Sequence, residues 1–153
     1  FDMYAVDKDQ SALRMLQYLA RTFKIGREKE RFLEASIQKL PFQDERFDAV
    51  LSISVLHFAE SEEQFHQMIH ELGRVLRTGG ILLIGILTDI GSMQTALGNK
   101  TSDTPEDAHR FLLTQERYES NLNSGMYHAL ENLKIHSEPG VQSMAYLALK
   151  KQA

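Results

Sequence analysis

Apolar positions along the chain follow two periods. Met3, Tyr4, Ala5 and Val6 form a short apolar run that stops at Asp7, which reads as a strand. Asp9 then stands as N-cap before Ala12, Leu13, Leu16, Leu19, Ala20 and Phe23, which recur at helical spacing. A charged stretch over 24–31 leads to Phe32, Leu33, Glu34 and Ala35, a short strand, and then to an irregular segment through Pro41. Residues 47–54 are apolar and β-branched, as a buried strand requires. Ser61, Glu62, Glu63 and Gln64 have capping-box spacing, and the helix they open carries Phe65, Met68, Ile69, Leu72, Val75 and Leu76 on one face. Gly79 and Gly80 are expected to end that helix before a strand over 81–87.

The pattern loses its period over 88–100, which reads as a loop with a short helix around 93–97. Thr104, Pro105, Glu106 and Asp107 combine a cap, a proline at the first helical position and early acids, so a helix is expected from there to about residue 118. A further helical stretch is expected around 126–133. Residues 134–137 and 143–150 follow as two strands, antiparallel to each other. The order implies a single domain over 1–153 with a helical insertion at about 88–125. Two buried strands joined by one amphipathic helix make a parallel-sheet unit, a scaffold that carries ligand sites at its strand ends.

Composition sharpens this only in part. A length of 153 residues with 42% apolar and 25% charged residues suits one globular domain with a sizeable core. The net charge of -4 gives no electrostatic reason to expect a nucleic-acid backbone as partner. The absence of cysteine excludes a disulfide framework, a thiolate nucleophile and a cysteine metal site. No apolar run reaches the roughly 20 residues of a membrane helix and no charged leader is visible, so a cytoplasmic location without membrane attachment is expected. The sequence opens on Phe1, inside an apolar run and without an initiator Met, which suggests that something upstream is missing.

Four elements taken together resemble a known family. The acidic strand end Val6, Asp7, the loop Leu40, Pro41, Phe42, the strand Phe47, Asp48, Ala49, Val50, and the turn Arg74, Val75, Leu76, Arg77, Thr78, Gly79, Gly80 look like class I S-adenosylmethionine-dependent methyltransferases. The resemblance extends over 3–150. It implies an α/β Rossmann-like mixed sheet, mostly parallel with an antiparallel terminal strand and helices on both faces. It also implies S-adenosylmethionine as cofactor, methyl transfer as activity, and no metal.

The resemblance assigns roles residue by residue. Asp7 would accept hydrogen bonds from both ribose hydroxyls, which suits an acceptor-only carboxylate at a strand end; the plainer reading is that it ends the strand. Lys8 takes the place of an apolar residue against the adenine, and its methylene stem is the part suited to that contact. Ser36 and Ile37 occupy the place of an acid and a small residue at the adenine edge. A serine hydroxyl accepts from an exocyclic amine without the strength of a carboxylate, while Ile37 would use its backbone N–H. Ser52, with Ile53 and Ser54, ends the central strand and lines the cofactor crevice. His57 is the candidate general base, since imidazole titrates near neutral pH; the alternative is a capping or packing histidine. Gly79 and Gly80 are read as structural, Phe47 as core, and Asp48 as satisfying nearby backbone.

The largest departure from the family is the absence of a glycine-rich loop before Asp7. The family would place its first strand, that loop and its first helix upstream of Phe1. A chain without that strand would expose two strand edges, which points to a homodimer, exchanged elements or weak cofactor binding. Other patterns fail. His66 and His70 are separated by Gln67, not the glutamate of the zinc-protease motif. Tyr4 with Lys8, and Tyr146 with Lys150, lie on strand patterns, where four residues put side chains roughly 13 Å apart. The segment Ser54, Val55, Leu56, His57 differs from the signature of nucleic-acid amino-methyltransferases, and the lack of cysteine excludes a thiolate adduct on cytosine. A small-molecule methyl acceptor and no nucleic acid are therefore expected. Phe111, Arg117, Tyr118 and Tyr127, with Met93, Gln94 and His109, are available to line its pocket. The competing reading is a non-catalytic methyltransferase-like interaction module.

Overall fold

The computed structural model describes residues 2–24, 31–91, 111–122, 125–137 and 143–153. The helices expected at 93–97 and from residue 104 begin outside the described residues, as do Met93, Gln94 and His109. The chain forms two compact units, Phe1–Phe42 and Gln43–Ala153. Among the described residues no helix is long and apolar enough to cross a membrane.

In the smaller unit, β1 (Ala5–Asp7) pairs in parallel with β2 (Phe32–Glu34), which sets Asp7 beside Glu34 at the carboxyl ends. Helix α1 (Gln10–Thr22) connects them, and Asp9 caps it as expected, its Oδ1 accepting the Ser11 N–H at 2.7 Å. The Ser11 hydroxyl, followed by its backbone N–H, holds the Asp9 carboxyl below the ordinary carboxylate range. Leu13 and Ala20 are buried on the inner face of α1. Gln10 Nε2 donates to Glu34 at 2.7 Å, tying the first turn of the helix to the end of β2.

The larger unit is built on β3 (Phe47–Ile53), α2 (Glu62–Val75) and β4 (Leu76–Leu87). β3 and β4 pair in parallel, and β7 (Met144–Lys151) runs antiparallel against the other edge of β4. Two short strands, β5 (Tyr127–Ala129) and β6 (Lys134–His136), both add antiparallel to β7. The Rossmann-like mixed α/β architecture with a reversed terminal strand follows the expected plan. One sheet face carries Ser52, Leu82, Ile84, Ile86, Ala145, Leu147 and Leu149, all buried. The opposite face leaves Leu51, Ile53, Ile81 and Tyr146 exposed.

Three local expectations are corrected. The glycine pair does not end the helix: α2 stops at Val75, and Gly79 (φ +76°) and Gly80 lie within β4. The register jumps there from Phe47↔Leu76 to Ala49↔Ile81, so residues 77–80 form a bulged excursion. Gly80 is required because an added Cβ would meet Arg77 O at 2.8 Å and Leu76 Cδ1 at 2.6 Å. The expected helix around 126–133 is instead β5 and its connection to β6, because pairing with β7 satisfies this backbone. The helix expected to reach residue 118 is not continuous over its described part, residues 111–118: Leu113 bridges Thr88 in parallel, and helical structure among these described residues starts at Gln115–Arg117 and continues as Tyr118–Leu122.

Around the end of α2, polar groups converge. Arg74 binds Glu71 through two bonds of 2.7 and 2.8 Å and Asp44 at 2.7 Å, and these acids raise its pKa, Glu71 foremost. Asp48, expected to satisfy backbone, pairs with Arg77 at 2.6 Å. Lys151 Nζ donates to the carbonyls of Gly73 and Leu76 at 3.0 and 2.8 Å, a cation on the negative end of the helix. Glu45 Oε1 accepts from the Thr78 hydroxyl at 2.8 Å and N–H at 3.2 Å.

Tyr127, expected to line a pocket, is 3% exposed, and burial pushes its phenol up to about 12. Its hydroxyl has no hydrogen-bond partner among the described residues and lies 2.5 Å from where a Cβ on Gly73 would be. Gly73→Ala should therefore destabilise the fold by about 1–3 kcal/mol, and Tyr127→Phe should recover most of that loss in the double variant. Additive effects in a denaturant double-mutant cycle would refute this contact. The Glu45 carboxyl is held below its ordinary value by Thr78, hydroxyl first, with a smaller contribution from Lys151. Its stabilising contribution is present above the ordinary glutamate range and lost as pH falls through the lowered value. Between about pH 6 and pH 3, wild type should lose more stability than Glu45→Gln; parallel melting curves would count against it.

Candidate functional site

The smaller unit gathers four of the predicted residues at the carboxyl end of its strand pair. Asp7 is half-buried, and its Oδ1 accepts the Asp9 N–H at 2.8 Å. A carboxylate offers about four lone-pair positions, so Asp7 keeps the capacity to accept from two vicinal hydroxyls. The Ala35 N–H donates to Asp7 O at 3.1 Å, which places Ser36 and Ile37 in the turn immediately beyond this strand end. Ser36 Oγ accepts the Gln38 N–H at 3.2 Å and donates to Gln38 Oε1 at 3.1 Å, so much of its hydroxyl capacity is spent within its own turn. Ile37 is half-buried and Lys8 exposed. This arrangement suits a nucleoside ribose at Asp7 with an adenine edge at the turn. Glu34 and Gln10 join the same end and escaped the sequence reading, although strand register with Asp7 was the signal available.

The larger unit holds Ser52 and His57. Ser52 is 3% exposed on the buried sheet face, and its Oγ has no hydrogen-bond partner among the described residues. Directly beyond β3, Ser54 adopts φ +59° and donates its N–H to Gly85 O at 2.8 Å. A serine in left-handed backbone is costly, and such strain concentrates at functional turns. The turn then enters a short 3-10 helix, Leu56–Phe58. His57 is 5% exposed there, its ring 4.6 Å from that of Phe58.

A returning segment closes over this turn. The Phe111 N–H donates to His57 O at 3.0 Å, the Leu113 N–H to Leu87 O at 2.8 Å, and Thr88 Oγ1 to Leu113 O at 2.6 Å. Phe111 stacks on buried Phe65 at 4.9 Å, and the Arg117 guanidinium lies over the other ring partner, 3.9 Å from the Phe111 centroid. Beside it opens a cleft of about 370 Å³ lined by Glu62, His66, Thr114, Glu116, Arg117 and Ser120. Neither Ser52 nor His57 lines it. Phe111 and Arg117 were expected at a pocket wall; their link to His57 was not, since it joins residues more than fifty positions apart.

Comparison with known proteins identifies the family. A family model described as a methyltransferase domain matches residues 1–84, more than half of the chain. Among curated proteins, a mouse sequence named probable tRNA methyltransferase 9B is 47% identical over 45 residues, 29% of this chain and 10% of that protein. The chain thus matches only a small part of that relative's length. Among solved structures, Burkholderia thailandensis 1,6-didemethyltoxoflavin-N1-methyltransferase superposes with TM-score 0.68 at 17% identity, covering 98% of this chain and 61% of that one. The [4+2]-cyclase SpnF superposes with TM-score 0.70 at 16% identity, covering 97% and 65%.

One expectation is overturned. Net charge, the segment Ser54 to His57 and the lack of cysteine led to an expectation of no nucleic-acid partner, yet the mouse relative and the human, bovine and Arabidopsis sequences matched alongside it are all named as tRNA methyltransferases. Net charge averages over the chain and does not report local recognition. S-adenosylmethionine is the cofactor that the fold and the family model imply. The chain belongs to the methyltransferase domain family, class I of the S-adenosylmethionine-dependent methyltransferases.

Proposed function

We propose that the protein transfers a methyl group from S-adenosylmethionine to a nucleoside of tRNA. The observation that carries the methyl-transfer reading is Asp7, a half-buried carboxylate at a strand end with acceptor capacity left over, inside the segment matched by the methyltransferase family model. The tRNA reading is supported by relatives at 41–47% identity over short segments, which bear tRNA methyltransferase names. A second reading, a small-molecule acceptor, is favoured by the 1,6-didemethyltoxoflavin-N1-methyltransferase that shares the fold.

Bound S-adenosylmethionine supplies a methyl group already activated by its positive sulfur. In this reading Asp7 accepts from both ribose hydroxyls, Lys8 lays its stem along the adenine, and Ser36 and Ile37 meet the adenine edge. Ser52 contributes strand backbone, because its hydroxyl is turned into the core. His57 receives the proton that the acceptor loses, while alignment and exclusion of water carry the rest of the acceleration.

Isothermal titration of the protein with S-adenosylhomocysteine tests the cofactor site. Replacing Asp7 with alanine should weaken affinity roughly ten- to a hundredfold, the loss expected for charge-assisted hydrogen bonds. Saturable binding that Asp7→Ala leaves unchanged would remove Asp7 from the site. No binding by wild type would favour the non-catalytic interaction module. Transfer of labelled methyl to unmodified tRNA transcript, but not to a small-molecule extract, would support the tRNA acceptor; the reverse would sink it.

A further inference from the structure

We infer that Arg117 is a positioning residue for His57, acting through Phe111; the inference rests on the reading of His57 as base. Phe111 lies between two flat partners: Phe65, fully buried in α2, at 4.9 Å with planes 24° apart, and the Arg117 guanidinium at 3.9 Å. A cation over an aromatic face is held by the ring quadrupole, and arginine's planar head adds stacking. The guanidinium is itself fixed. Its Nε donates to Glu62 Oε1 at 2.6 Å, its Nη1 donates to Leu112 O at 2.6 Å, and its Nη2 pairs with the same Glu62 carboxylate.

The stack matters because of what the Phe111 backbone does. Its N–H is the donor to His57 O, and the turn bearing His57 is tied at its other end by the Ser54 N–H on Gly85 O. The His57 main chain is thus fixed from both sides. One tie comes from the sheet and the other from a segment whose seating depends on Arg117. Leu113 and Thr88, both nearly inaccessible, lock the segment to the end of β4, so loss of Arg117 frees residues 111 and 112 without releasing the whole strap. The ion pair with Glu62 also anchors the strap to the first turn of α2, where an acid is already favoured by the helix dipole.

Arg117→Gln removes the charge and the fork while keeping a polar side chain. The expected result is a fall of tenfold or more in kcat for methyl transfer to tRNA transcript, with S-adenosylhomocysteine affinity within twofold of wild type. The His57 imidazole resonances, assigned with His57→Gln, should shift. Arg117→Lys should restore only part of the rate, because an ammonium lacks the planar stack and the two-point grip on Glu62. Should Arg117→Gln fail to fold, Glu62→Gln gives the same signature more weakly. Unchanged His57 resonances in a folded variant would overturn the inference, as would a rate loss matched by an equal loss of S-adenosylhomocysteine affinity. Failure of wild type to transfer methyl to tRNA would instead overturn the acceptor reading, and the His57 resonances would still decide whether Arg117 positions that ring.

Discussion

The larger unit depends on how closely the last turn of α2 lies against the sheet. β4 begins at Leu76, the residue after the helix ends at Val75, so no loop absorbs a misfit between them. The approach is allowed because residue 73 has no side chain where the Tyr127 hydroxyl arrives. It is held by Lys151, whose ammonium takes two carbonyls left without helical partners at the C-terminus. β3 pairs with β4 at Phe47 and Leu76 beside this helix end and, beyond the bulge, from Ala49 and Ile81 to Ile53 and Gly85, so both strands run from the helix end to the opposite edge. That opposite edge carries Ser54, His57 and Thr88.

What was legible in the sequence was local. Asp9 and Ser61 announced the starts of both long helices because capping is a matter of neighbouring residues, and each side-chain oxygen does accept a backbone N–H of its own first turn. In the second helix the reciprocal bond of Gln64 goes to the Glu60 N–H, one residue earlier than a capping box would place it. Asp7 was legible for a similar reason, since an acid ending an apolar run sits at a strand terminus. The failures have a common cause. Gly79 and Gly80 suit a helix stop equally well as a bulge, and only pairing with β3 decides between them. Met126, Tyr127, Ala129, Leu130 and Leu133 have spacing that a helix accepts, but the long strand β7 offers these residues partners, and tertiary context overrides propensity.

The candidate site divides along the same line. Ser36 could be located from the loop that follows it, yet its spent hydroxyl appears only with Gln38 in place. The strain at Ser54 has no sequence signal, because serine is an ordinary residue everywhere except in left-handed backbone. The Phe65–Phe111–Arg117 stack joins an apolar position of one helix to two residues of a segment read as a separate helix, and no local pattern connects them.

The corrected partner shows where composition stops being informative. A chain of net charge -4 repels a phosphate backbone only as an average, while recognition of RNA depends on the field over one surface and on stacking and hydrogen bonding to unpaired bases. The aligned stretch is 10% of the length of the mouse relative, so most of that protein lies outside what is shared. The fold does not decide the acceptor either, since the [4+2]-cyclase SpnF and 1,6-didemethyltoxoflavin-N1-methyltransferase superpose on this chain about equally well. If fold and charge are both neutral, discrimination falls to the residues that surround the acceptor. In the larger unit the strained turn after β3 is hydrogen-bonded to the strap that carries Phe111 and Leu113. Selectivity by shape requires rigidity, and this turn and strap are fixed by hydrogen bonds at Leu87, Thr88 and His57 and by an ion pair at Glu62.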